Sequence, residues 1–188
     1  MKAIVAAGGV SVPSGEVLRR GERPTVQPPA VTKPIDADNS VGVGFVHERA
    51  DYEGALDGAF AHCAEVLVER YIELGREVRC GVLVQAGRLV CLPLEEYRVD
   101  SVRKPVRDYD DKIRRTVGGD LELVAKDRSR AWIVDPADPV AETVWTAARL
   151  CHVALGCRHY SLFDFRIDPS GHPWFLEAGL YCSLRRPA

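Results

Sequence analysis

The stretch FDFRIDPSGHPWFLEAG, residues 163 to 179, alternates as two strands of a hairpin and sets Asp164 and Glu177 among apolar neighbours. Asp168-Pro169-Ser170-Gly171 carries Pro and Gly where a chain reversal favours them. With the connection running from Pro169 to His172, Asp168 pairs with Pro173, and counting outward Asp164 faces Glu177 on one side of the ladder. Carboxylates directly opposed across two strands repel. A positive group is therefore expected between them, or a proton on one. A hard cation such as Mg2+, held by one or two carboxylates and completed by phosphate oxygens, meets that need. A register slipped by one residue would instead turn one acid to solvent.

Other stretches carry residues suited to a phosphorylated ligand. The loop KPIDADNSVGVG, from Lys33 on, contains neither the P-loop nor the Rossmann glycine pattern. Asn39, Ser40 and Gly42 could still curl backbone N–H groups around a phosphate. Lys33 stands just before them; a solvated strand end would look the same. Glu69 and Glu77 bracket RYIELGR, which reads as a hinge. One acid with exposed backbone there can read the amino edge of an adenine and the other can hold a ribose, unless both are surface acids among arginines. Lys112, in DYDDKIRR, is placed to close over phosphates from a mobile loop, or belongs to a charged linker. Together these stretches point to a nucleoside triphosphate with Mg2+.

The rest of the chain must position those groups. Composition is that of a globular protein: 188 residues, 46% hydrophobic, 28% charged, net charge −2. The near balance of charge argues against a nucleic-acid partner, and no apolar run is long enough for a membrane span. The opening MKAIVAAGGVSVPSG has too short an apolar run and no convincing cleavage site for a signal peptide. Six cysteines, at 63, 80, 91, 151, 157 and 182, form no C-x-x-C pair. They suit a reduced, cytoplasmic protein without a zinc site or disulfide framework.

Lys2 to Ala7 reads as the tail of a helix stopped by Gly8-Gly9. Strands are expected at 16–19, 29–34, 43–46 and 65–72, with a helix over 51–63 from the spacing of Tyr52, Ala55, Leu56, Ala59, Phe60 and Cys63. REVRCGVLVQAGRLVCLPLEEYRV reads as two strands about a turn at Gln85-Ala86-Gly87. Residues 100–137 lack periodicity. Asp138-Pro139 opens a second helix that Gly156 closes, with a buried stripe at Val140, Val144, Ala147, Ala148, Cys151, Ala154 and Leu155. Helices and strands mix without a βαβ rhythm, so the class is α+β.

The order VTKPIDADNSVGVG, EVLVERYIELGRE, YDDK and ALGC…FDFRID…FLEAG resembles the ATP-grasp part of D-alanine–D-alanine ligases, from about residue 3 to residue 179. The resemblance implies an ATP-grasp fold, with a lobe over 1–72, a second over 73–188, a mobile loop at about 100–137, and ATP enclosed by the two. Such enzymes phosphorylate a carboxylate to an acyl phosphate that an amine attacks, giving an amide. The match implies ATP contacts at Lys33, Asn39, Ser40, Glu69, Arg70, Tyr71, Ile72, Glu77, Lys112 and Leu176. Among these Lys33 is the phosphate lysine, Glu69 meets the adenine amino group, Glu77 the ribose, and Leu176 packs under the base. Lys112 is the mobile-loop lysine, and Asp164 and Glu177 are Mg2+ ligands. The partners implied are amino-acid-like substrates and a second copy or separate N-terminal lobe.

The departures are specific. Leu162 stands where the family has an arginine that stabilises the tetrahedral intermediate, and Gly179 where it has a metal-binding asparagine. Arg166 is the candidate substitute for the arginine. Asn39 replaces a serine that orients substrate. The sequence starts inside the first helix of the ATP-grasp region, and its tail LYCSLRRPA lacks the acceptor-site residues. The alternative to a ligase is a non-catalytic or truncated ATP-binding module acting with a partner chain.

Overall fold

The elements run α1 (Lys2–Ala7), β1 (Gly15–Arg19), β2 (Ala30–Pro34), β3 (Gly44–Val46), α2 (Tyr52–Phe60), β4 (Glu65–Arg70), β5 (Arg76–Gln85) and β6 (Arg88–Cys91). They continue as β7 (Glu95–Tyr97), β8 (Ile113–Arg115), β9 (Leu121–Leu123), β10 (Ala131–Ile133), α3 (Pro139–Ala154), β11 (Tyr160–Ile167) and β12 (Pro173–Gly179). The structure, a computed structural model, describes residues 1–37, 39–111, 113–115, 121–123 and 128–179, with backbone alone for 113–115 and 121–123. Two compact units divide the chain: one drawn from Pro13–Tyr71 and Val99–Ala125, the other from Met1–Val12, Ile72–Arg98 and Lys126–Ala188. Among the described residues no helix is long and apolar enough to cross a membrane.

The first of these units holds an antiparallel sheet of order β1-β4-β2-β3. Tyr52, Ala59 and Phe60 of α2 bury against Leu18, Ala30, Val46, Val66 and Val68. The helix ends at Phe60, earlier than its apolar spacing predicts; Cys63 lies just past the following turn and still packs on the same cluster. Side-chain spacing records which residues reach the core, not whether backbone bonds persist. In the expected unstructured stretch, β8 and β9 pair with each other.

The other unit is built on a six-stranded sheet, β10-β7-β5-β11-β12, with β6 also on β5. Ala86 (φ 49°) and Gly87 (φ 74°) make the turn from β5 to β6, as a two-residue hairpin loop requires. The expected single return strand is two. Cys91 pairs with Val82, the ladder breaks over Leu92-Pro93-Leu94, and Glu95–Tyr97 rejoins the same strand opposite Arg79–Glu77. Pro93 has no N–H to continue the ladder. Helix α3 begins as predicted, with Asp138 accepting from Val140 N at 3.0 Å and Pro139 in the first turn.

One face of this sheet lies under α3 and is apolar: Val78, Cys80, Val82, Phe163, Phe165, Ile167 and Phe175 are buried with Val144, Ala148 and Cys151. Strand alternation puts Glu77, Arg79, Asp164 and Arg166 on the opposite face. That face carries the candidate chemistry.

Candidate functional site

The hairpin of β11 and β12 brings Asp164 and Glu177 into direct register. The route differs from simple counting. Ile167, not Asp168, pairs with Pro173, and the ladder shifts between Asp164 and Phe165, where Leu176 is the extra residue. Asp168 closes the turn: its Oδ1 accepts from Ser170 N (3.0 Å) and His172 N (3.1 Å), and Oδ2 from Trp174 Nε1 (2.9 Å). A turn one residue tighter and a bulge one residue longer cancel, so both acids stay on one face.

The registers of three ladders place four ionisable side chains in one row across the sheet: Glu95 of β7, Arg79 of β5, Asp164 of β11 and Glu177 of β12. Arg79 answers the need for positive charge beside Asp164. Its Nε meets Oδ1 at 2.6 Å and its Nη2 meets Oδ2 at 2.8 Å, a fork on the carboxylate. Its Cζ lies 5.5 Å from the centre of the Tyr97 ring, whose hydroxyl donates to Glu95. Burial opposes the guanidinium charge, but the bonds to Asp164 and its charge outweigh this and hold the Arg79 pKa above its ordinary value. Burial, the largest influence on Tyr97, pushes its phenol up as well.

The next row holds Tyr97, Glu77, Arg166 and Trp174. Arg166, 4% exposed, donates through Nη2 to Glu77 Oε2 at 2.7 Å and through Nη1 to the Ile72 carbonyl at 3.2 Å. On the other side of the ionic row stand Gly81, Leu162 and Gly179, which bring no charged group.

Within the β1–β4 sheet, Lys33 of β2 and Glu69 of β4 are diagonal neighbours, since Val31 pairs with Glu69 and Lys33 with Leu67. Lys33 Nζ lies 2.8 Å from Glu69 Oε2; the acid is 2% exposed. Gly15 faces Glu69 from β1, and a Cβ there would fall 2.5 Å from the Val68 carbonyl and 3.1 Å from Glu69 Cγ. The glycine leaves room for the buried acid. In the loop after β2, Asn39 (φ 55°) and Ser40 (φ 60°) are left-handed in succession, a conformation that gathers at ligand clamps. Past β4, Tyr71 meets the Phe45 ring edge-on at 5.1 Å between centroids, and Ile72 is buried.

The structure thus joins Lys33 to Glu69, Glu77 to Arg166, and Asp164 to Glu177 by register. Leu176 is half-buried at the bulge and Arg70 is exposed. Lys112 lies outside the described residues. Sequence reasoning missed Arg79. Its signal was an arginine at alternate spacing from Glu77 on an otherwise apolar strand, which matters only once β5 is known to lie beside β11.

Among the described residues no three His, Cys, Asp or Glu side chains gather closely enough to hold a metal ion. Two opposed carboxylates are what the chain offers, a donor set that fits Mg2+ when phosphates and water complete its shell.

The family model for the C-terminus of D-Ala-D-Ala ligase matches residues 15–180. The chain belongs to that family. Among its relatives, the D-alanine–D-alanine ligase of Citrifermentans bemidjiense is 32% identical over 180 residues, which cover 94% of this chain and 52% of that protein. The D-Ala:D-Ser ligase VanG of Enterococcus faecalis superposes with a TM-score of 0.69 at 26% identity, over 94% of this chain and 50% of that one. The Bacillus anthracis D-alanine–D-alanine ligase, solved as a complex with ATP, gives 0.65 at 21% identity, over 95% and 50%. The fold of this D-Ala-D-Ala ligase C-terminal family member is therefore α+β of the ATP-grasp kind, and the chain spans about half the length of its curated relatives.

Proposed function

We propose that this chain is the ATP- and Mg2+-binding portion of a D-alanine–D-alanine ligase-like enzyme that forms an amide from a carboxylate and an amine through an acyl phosphate. The observation carrying it is the cross-strand register of Asp164 and Glu177 in a member of this ligase family. Relatives named as ligases, one of them solved with ATP, support it.

In this reading Lys33, Asn39 and Ser40 hold phosphates. Glu69, Arg70, Tyr71, Ile72 and Leu176 hold the adenine, Glu77 the ribose, and Asp164 and Glu177 the Mg2+. Bound there, Mg2+ supplies neutralising charge to the transferring phosphoryl group. Lys112 and Arg166 are the cations assigned to the reacting groups, and Arg166 also fixes Glu77. Substrates are amino-acid-like and the setting cytoplasmic. The partner is a second copy or a separate N-terminal lobe.

Calorimetric titration with MgATP tests the binding, and ADP release across D-amino and D-hydroxy acids, with and without a ligase N-terminal lobe, tests the chemistry. Binding should require Mg2+ and weaken about tenfold or more in Glu177→Gln, the loss of one charge-assisted contact. Absence of heat and of any thermal shift with MgATP would overturn the proposal. Binding without ADP release for any acid would leave a nucleotide module rather than a ligase.

A further inference from the structure

Three successive rows on the sheet face opposite α3 change in character from one to the next. Glu77 and Arg166 belong to the first, Arg79, Asp164 and Glu177 to the second, and Gly81, Leu162 and Gly179 to the third. At a rise of about 3.3–3.4 Å per residue, each row lies about 7 Å beyond the last. Leu92 extends the third row, its N–H donating to the Gly81 carbonyl at 2.8 Å. The space that the glycines leave is taken by the leucines. A Cβ on Gly81 would lie 2.9 Å from Leu92 Cδ1 and 3.7 Å from Leu162 Cδ1, and one on Gly179 would lie 3.6 Å from Leu162 Cδ2. Both leucines are only half-buried. Beside the paired acids the sheet therefore offers a patch of hydrocarbon with no side-chain donor or acceptor.

In the nucleotide reading Glu77 marks the ribose side of the acid pair. Phosphoryl transfer sets the attacking oxygen roughly in line with the leaving one. The leaving oxygen belongs to ADP, on the ribose side, so the acid that attacks comes from the opposite side, where the third row lies. We infer that Leu162 and Leu92 determine specificity, selecting a carboxylic acid that turns an aliphatic group, not a polar or charged one, toward this row. An amide or carboxylate laid there gives up water and finds no side-chain partner, whereas a hydrocarbon group gains by leaving water. The inference rests on the MgATP reading above and adds a substrate class to it.

Calorimetry on the 188-residue chain, loaded with Mg2+ and the non-hydrolysable β,γ-imido analogue of ATP, compares DL-leucine with DL-asparagine, near-isosteric acids that differ in that group. Leucine should bind about tenfold or more tightly, the worth of burying its isobutyl group. In Leu162→Gln, shown by circular dichroism to be folded, the preference should fall to within about threefold. Equal affinity, preference for asparagine, or binding of neither acid by the loaded natural chain overturns the inference and leaves nucleotide binding standing. So does an undiminished preference in folded Leu162→Gln. Failure of the nucleotide analogue to bind in the loading step overturns the reading beneath it. Should Leu162→Gln not fold, the preference of the natural chain still decides.

Discussion

Lys33 Nζ stands 2.8 Å from the Oε2 of Glu69, a carboxylate only 2% exposed. Both residues belong to the proposed nucleotide set, so a phosphate and a buried acid draw on one ammonium. Lys33→Met should destabilise the nucleotide-free chain by about 1.5–3 kcal/mol, the size of a charge-assisted hydrogen bond. Urea denaturation followed by tryptophan fluorescence reads this directly. An unchanged midpoint would make the lysine a ligand group without a structural role.

Leu176 is the extra residue of β12, and its removal leaves alternation intact: Phe175 on the helix-covered face, Glu177 next on the other. Deleting Leu176 should therefore preserve the pairing with Asp164 while removing the apolar contact proposed for the base. ATP affinity is expected to fall roughly tenfold, about the worth of one partly buried leucine, with the Mg2+ requirement kept. Loss of the Mg2+ requirement in the deletion would show that the bulge itself sets the acid pair.

The hydrogen bond from Ser170 leads several that hold Asp168 down to about 2, the Trp174 ring N–H among them. An unfolded aspartate titrates near 3.9. The ionised form is thus favoured by folding, and its stabilisation is present above about pH 4 and fades as pH falls through about 2. The stability difference between the natural chain and Asp168→Asn should shrink across that window. A difference independent of pH from 6 to 2 would refute the assignment.

Asp138 joins two structures: its Oδ1 caps α3 through Val140 N at 3.0 Å and its Oδ2 accepts from Arg76 Nη1 at 2.9 Å. The backbone hydrogen bond from Val140, with the bond from Arg76, holds its pKa below the ordinary aspartate value. Asp138→Ala should cost about 1–2 kcal/mol by chemical denaturation, as lost N-caps do. Arg76 keeps its fork on Glu96, at 3.0 and 2.6 Å, so unfolding should stay cooperative.

How far the sequence revealed these features follows from the range over which each is decided. Asp138-Pro139 and Ala86-Gly87 act through neighbouring backbone, and both were legible. The opposition of Asp164 and Glu177 was legible because alternation constrains both to one face, though the count reached it through a wider turn and no bulge. The break before β7 was hidden because Leu92 and Leu94 continue the apolar character on both sides of Pro93. Arg79 was hidden for a stronger reason: its partner lies 85 residues on, and only the order of strands in the sheet brings them together.

That separation also bears on how the protein is made. The sheet of β1 to β4 is drawn from Gly15 to Arg70 and can close early in translation. Strand β5 can acquire β6 and β7 soon after it emerges, but its other edge waits for β11. With 85 residues between Arg79 and Asp164, elongation at about 5–20 residues per second leaves that edge bare for roughly 4 to 17 s. An open edge backed by Val78, Cys80 and Val82 invites pairing with a neighbouring nascent chain. The arginine that later grips Asp164 is meanwhile a charge on the exposed strand, the kind of residue that discourages edge-to-edge pairing.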